Sequence, residues 1–157
     1  MASTAGTDSP ASSTAARLAR GELFSALAAE LAGGPVVCAR LRREIAPALS
    51  PREACLLEAH RGGSGLVVRR SGLLRGPAGA VARVTAVYLP TRIGDPGVRR
   101  ALWESDVPLG VALGPLGARR ESLRAWVNGR GEVRSAGLLL LGDVPVALAE
   151  EELLPVL

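Results

Sequence analysis

Apolar residues at Leu18, Leu23, Leu27 and Leu31 recur about once per helical turn, and Gly33-Gly34-Pro35 then interrupts them. That ladder predicts an amphipathic helix over Ala16–Leu31. From Val36 to Ile45 the period shortens to two, with Val37, Ala39 and Leu41 on one side and Arg40 and Arg42 on the other, which predicts a strand. Ser50-Pro51-Arg52-Glu53 is a capping-box pattern with proline at the first helical position, so a short helix is expected to about His60. Arg61-Gly62-Gly63-Ser64-Gly65 follows as a flexible loop. Leu66–Leu74 and Val81–Leu89 flank turn residues and form a hairpin. Asp95-Pro96 opens a helix of one or two turns to about Trp103. Ser122–Val127 and Val133–Leu141 enclose Asn128-Gly129-Arg130-Gly131, a second hairpin, and Gly142-Asp143 leads into a last strand over Val144–Leu154. Hairpins dominate and βαβ alternation is missing. The expectation is therefore an α+β domain, one six-stranded antiparallel sheet with helices packed on it.

Composition narrows this picture. The chain has 157 residues, room for one domain, and its first fifteen, Met1 to Ala15, are small and polar and read as a disordered tail preceding a domain over 16–157. Aromatics make up only 3% of the chain, so the core must be built from Leu, Val and Ala. No apolar run has the length of a membrane span, and the N-terminus lacks the pattern of a secretory signal, so a cytoplasmic location and no membrane partner are expected. The net charge is +4, yet all 19 basic residues are arginine and are dispersed among 15 acids, a pattern that argues against a nucleic-acid face. Cys38 and Cys55 read as buried free thiols, although a disulfide is open in principle. His60 has no second ligand nearby, so no metal and no cofactor are expected.

Three positions carry candidate chemistry. Arg70 shares a face with Leu66, Val68, Gly72 and Leu74, and a cation on an apolar face needs a carboxylate from the protein or from a ligand. The alternative is a solvated arginine at a sheet edge. Glu151 shares a face with Ala147, Ala149 and Leu153, small residues that leave space for a ligand, and partial burial would raise its pKa for acid–base work. The alternative is a solvated strand end, since Glu150 and Glu152 flank it on the opposite face. Pro108-Leu109-Gly110 is a tight segment able to offer backbone N–H groups to an anion.

Taken in order, Arg70 with Gly72-Leu73-Leu74, then Pro108-Leu109-Gly110, then Pro145-Val146-Ala147-Leu148-Ala149, Glu151 and Leu154-Pro155 resemble the chorismate pyruvate-lyase (4-hydroxybenzoate synthase) family. Gly21-Glu22-Leu23-Phe24-Ser25-Ala26-Leu27 is similar to that family's flap helix, and Cys38-Ala39-Arg40-Leu41 to its first strand. The resemblance implies a six-stranded antiparallel sheet with helical flaps over an internal site, a fold also used by effector-binding domains of bacterial transcription regulators. It implies that Arg70 and the Leu109 N–H, next to Gly110, hold a ligand carboxylate, that Leu23 and Phe24 contact the ligand, and that Glu151 serves the elimination. The implied reaction is loss of pyruvate from chorismate to give 4-hydroxybenzoate without a cofactor, by a monomer or homodimer.

The chain departs from the family pattern at Phe24, where a small polar residue is usual, at Ala86, and in the short stretch between Trp126 and Leu138. Two other readings are therefore open: a repurposed enzyme performing a different elimination or cyclisation, or a non-catalytic module that binds a small ligand.

Overall fold

The computed structural model describes residues 9–59 and 65–155. Six strands form one sheet: β1 (Val37–Ala46), β2 (Val67–Gly76), β3 (Gly79–Tyr88), β4 (Arg119–Val127), β5 (Val133–Leu141) and β6 (Val144–Leu153). Their order is β1-β2-β3-β6-β5-β4, with every neighbouring pair antiparallel. The sheet is thus two three-stranded meanders joined where β3 pairs with β6. The crossover between them carries two of the five α-helices of the described residues, which are α1 (Pro10–Ala19), α2 (Phe24–Ala32), α3 (Pro51–Leu56), α4 (Pro96–Glu104) and α5 (Leu109–Leu113).

Each sheet face has its own cover. On one face α1 and α2 pack Leu18, Phe24 and Leu27 over Cys38, Leu74, Ala82 and Val133. Further along the same face α4 and α5 bring Leu102, Leu109 and Leu113 onto Val68, Tyr88, Leu139 and Ala147. The opposite face is covered in part by α3 and its flanks, where Leu49, Ala54 and Leu57 meet Val67, Val87, Leu138 and Leu148. The neighbours Val67 and Val68 fall in different clusters because successive side chains leave a strand on opposite faces.

The expected α+β architecture with a single antiparallel sheet is what the chain adopts, with several local corrections. The helix expected over 16–31 is two helices, and residues 10–15, assigned in sequence to the tail, are helical. Ser9 caps α1 by accepting from the Ser12 N–H, and Pro10 occupies the first turn. Gly21, at φ 89°, then breaks the run, and a Cβ there would lie 2.9 Å from the Arg120 carbonyl oxygen, so the connector rests directly on β4. In β1 the alternation is reversed at its start: Cys38 is buried and Val37 is exposed. The register shifts between Ala39 and Arg42, where Arg40 adopts φ 50°, so a bulge resets the faces. The capping box of α3 forms as expected, with Glu53 Oε1 accepting from the Ser50 N–H and Ser50 Oγ from the Glu53 N–H, but the helix ends at Leu56. His60 and the loop to Ser64 lie outside the described residues. Cys55 is exposed rather than buried, because Ala54 and Leu57 take the inward positions of α3; both thiols are free. β4 begins three residues earlier than expected, at Arg119, and the helix α5 was not anticipated.

Candidate functional site

Between the two apolar clusters on the helical face, the sheet carries a belt of polar side chains. Arg70 on β2, Glu151 on β6, Ser135 on β5 and Arg120 on β4 are all buried there. Above them the chain leaves a cavity of about 50 Å³. A water molecule needs roughly 10–15 Å³ on this measure, so the space holds a compact ligand or a few waters. The sheet contributes Leu74, Val84, Ala86, Leu139 and Ala149 as its apolar floor, while Leu23, Phe24 and Ser25 of the α2 entry and Pro108, Leu109 and Gly110 of the α5 entry form its wall.

Arg70 sits at one pole. It lies on the second strand of the sheet with 4% of its surface exposed, which removes the solvated-edge alternative. Its Nη2 donates to the main-chain carbonyls of Val107 and, at 3.3 Å, Ser105. Its Nε is buried and has no acceptor among the described residues. Burial pulls the pKa of this guanidinium down, with the nearby Arg43 acting in the same direction. No carboxylate of the described residues forms an ion pair with it.

The same contacts fix the wall. Arg43 donates to the carbonyls of Leu102 and Ser105, the Cys38 N–H donates to the Asp106 carbonyl at 2.7 Å, and Arg70 holds Val107. Three successive carbonyls, Ser105 to Val107, are therefore tied to β1 and β2, and Pro108 starts α5 against the cavity. The first-turn amides of a helix, here including those of Leu109 and Gly110, have no partner within the helix itself. Gly110 allows α2 to close against this turn, since a Cβ there would lie 2.4 Å from Ser25 Oγ.

Glu151 and Arg120 form the other pole. Arg120 Nη1 and Nη2 reach Glu151 Oε2 and Oε1 at 2.7 and 2.9 Å, and Ser135 Oγ lies 2.9 Å from Oε1. The guanidinium lies flat over Gly137, where a Cβ would stand 2.6 Å from Cζ. Arg120 and Ser135 escaped the sequence reading. The available signal for Arg120 was indirect: a glutamate placed on an inward face requires a buried cation.

The sequence-predicted residues Leu23, Phe24, Arg70, Leu109, Gly110 and Glu151 all line this one cavity. Glu150, by contrast, is exposed, and Glu152 makes looser contacts with Arg134 at 3.4 Å and Arg83 at 3.7 Å. The solvated-end reading of the acidic run therefore fails for Glu151 alone. Among the described residues no group of three or more His, Cys, Asp or Glu is placed to hold a metal ion, and no helix is long and apolar enough to cross a membrane.

Neither a protein family nor a curated protein matches the chain by sequence. Among solved structures it is similar to a GntR-family transcriptional regulator from Bacillus cereus, at 14% identity and a TM-score of 0.44, over 74% of this chain and 93% of that one. It is also similar to the ligand-binding domain of a candidate GntR-family transcriptional regulator from Bordetella bronchiseptica, at 20% identity and a TM-score of 0.49, over 76% and 82% of the two chains.

Proposed function

We propose that this domain binds a small organic anion in the cavity between α2, α5 and the sheet, with the ligand's carboxylate on Arg70. The observation that carries the reading is a buried guanidinium that meets only main-chain carbonyls, in a cavity whose lining carboxylate, Glu151, is already held by Arg120. An unpaired buried cation is costly, by several kcal/mol in order of magnitude, and a carboxylate arriving from solution would remove that cost. Arginine presents a planar fork suited to this task. The apolar floor suits a compact hydrocarbon body, and a cavity well below the ~300–1,000 Å³ of ordinary drug-sized sites excludes a bulky one.

Binding alone satisfies this geometry, and the first test is calorimetric titration with small carboxylates such as 4-hydroxybenzoate. Arg70→Ala is expected to lose about 2–5 kcal/mol of binding. Unchanged affinity in that variant refutes the reading.

A catalytic reading has one observation in its favour: Glu151 lines the same cavity as Arg70. Elimination of pyruvate from chorismate would use the pair as the resemblance implies. Against it, both Glu151 oxygens already accept from Arg120, and one also from Ser135, so a free acid–base group is not on offer. Incubation with chorismate separates the two readings. Pyruvate release that is lost in Glu151→Gln but kept in Glu150→Gln and Glu152→Gln supports the lyase, and binding of 4-hydroxybenzoate with no pyruvate released from chorismate supports the ligand-binding module.

A further inference from the structure

We infer that the Arg120–Glu151 pair sets the charge class of the ligand: the cavity takes an anion carrying one negative charge and discriminates against dianions of the same shape. The inference rests on the reading that the cavity binds a small carboxylate, and it goes beyond it by fixing how many charges that carboxylate's skeleton bears.

The argument is a charge count over the groups that face the site. Four titratable side chains line the cavity: Cys38, Arg70, Arg120 and Glu151. Arg120 and Glu151 are joined by two hydrogen bonds at 2.7 and 2.9 Å, with side-chain exposures of 1% and 3%, so the pair is neutral as a unit and neither member is free. The Cys38 thiol is pushed up by burial and stays protonated, and burial does the same to the Tyr88 hydroxyl beneath Arg70. Arg43 and the exposed Asp106 act on Arg70 with opposite signs. Among the side chains that line the cavity one positive charge remains uncompensated, and it belongs to Arg70.

A monocarboxylate seated there restores neutrality. A second carboxylate on the same ligand would be desolvated inside the cavity with no cation left for it, or would have to compete with Glu151 for Arg120. Glu151 already takes both terminal nitrogens of Arg120 and neutralises its charge. A second ligand carboxylate would therefore meet only the remaining donors beside Glu151, and like charges brought together at low dielectric repel strongly. Gly137 reinforces this. Its missing Cβ leaves room for the Arg120 guanidinium against the β5 backbone, where Glu151 holds it by two hydrogen bonds, so turning toward a ligand would break both.

The test uses skeletons that differ in charge and hardly in shape: terephthalamate against terephthalate, and succinamate against succinate. Wild-type protein titrated calorimetrically near neutral pH is expected to bind the monoanion of at least one pair at least tenfold more tightly than the dianion. Equal or tighter binding of the dianion overturns the inference while leaving the anion-binding reading intact. No binding by either pair overturns that reading itself, and the two failures are therefore distinct. In Glu151→Gln the neutralised partner frees the Arg120 charge, and the preference is expected to move toward the dianion by at least tenfold. The double variant Arg120→Gln/Glu151→Gln restores a single uncompensated charge and is expected to return the preference to the monoanion. If Glu151→Gln does not fold, the wild-type comparison still decides.

Discussion

Arg70 and Arg120 are buried to nearly the same degree, 4% and 5% exposed, on the same face of the same sheet, yet their surroundings differ in kind. Arg120 has its charge met by protein: a carboxylate meets its two terminal nitrogens, Ser135 steadies that carboxylate, and the guanidinium lies against the β5 backbone, although its Nε, like that of Arg70, has no acceptor among the described residues. Arg70 is satisfied by half: main-chain carbonyls take Nη2, and no acidic side chain of the described residues forms an ion pair with it. Carbonyl oxygens supply hydrogen bonds without supplying charge. The comparison teaches that burial alone does not distinguish a structural arginine from a ligand-binding one. What distinguishes them is whether the counter-charge comes from the chain or is left to come from solution.

The strongest way to break the comparison is to remove the counter-charge that the chain does supply. Glu151→Ala leaves Arg120 buried and unpaired, and a loss of about 3–5 kcal/mol of folding stability is expected in urea unfolding. Replacing both partners, as Arg120→Met/Glu151→Leu, removes charge and counter-charge together and is expected to recover most of that loss. If Glu151→Ala costs no more than a surface substitution, the pair is not the closed unit described above.

Arg70→Met is expected to behave in the opposite way. It deletes an uncompensated buried charge while keeping an unbranched apolar stem, so the relief of desolvation offsets the carbonyl contacts that are lost. The expected change in stability is about 1 kcal/mol or less in either direction, far below that for Glu151→Ala. Unfolding curves of the two variants side by side check this. A loss from Arg70→Met as large as that from Glu151→Ala would make Arg70 a structural residue and remove the basis for a ligand there.

The two arginines were not equally legible in the sequence. Arg70 stood out because Val68, Gly72 and Leu74 alternate around it, and an arginine on an apolar face is conspicuous. Arg120 lies in Ala118-Arg119-Arg120-Glu121-Ser122, where consecutive charges hide the alternation and make the start of an edge strand look like a loop. Its meaning depends on a partner 31 residues away, and local pattern does not contain that pairing. The strands were legible for the same local reason that Arg70 was, since β2, β3, β5 and β6 are bounded by turn residues and carry β-branched or leucine-rich runs. The helices fared worse. Leu18 and Leu23 are five apart, a slip in the ladder that coincides with Gly21, where α1 and α2 separate. The five residues of α5 lie between Pro108 and Pro115 and are too few to show a period. The cavity was legible only in part, because its wall is set by main-chain carbonyls held by Arg43, Cys38 and Arg70, contacts that leave no mark on residue type.

A second arginine–carboxylate fork sharpens the comparison from the solvent side. Arg69, next to Arg70 but on the opposite face, meets Glu53 with Nη1 and Nη2 at 2.7 and 2.6 Å, the same two-point geometry as Arg120 with Glu151. Here the arginine side chain is 36% exposed, so water screens the pair. The Arg69 fork, helped by the Ser50 cap, holds the Glu53 carboxyl at about 2, well below its ordinary value of 4.5. A carboxyl whose folded pKa lies below its unfolded one stabilises the fold above the unfolded value and loses that contribution as pH falls toward the folded one. The contribution is therefore complete above pH 4.5 and disappears between 4.5 and 2. Solvent screening limits it to about 1 kcal/mol. Glu53→Gln keeps the shape and the capping geometry of α3 but not the charge. It is expected to be less stable than wild type by about 1 kcal/mol at pH 6 in urea unfolding, with the difference shrinking at pH 3 and vanishing near pH 2. A difference that persists unchanged to pH 2 would mean that the Arg69–Glu53 contact acts through packing and capping rather than charge, and the distinction between screened and buried forks would lose its electrostatic basis.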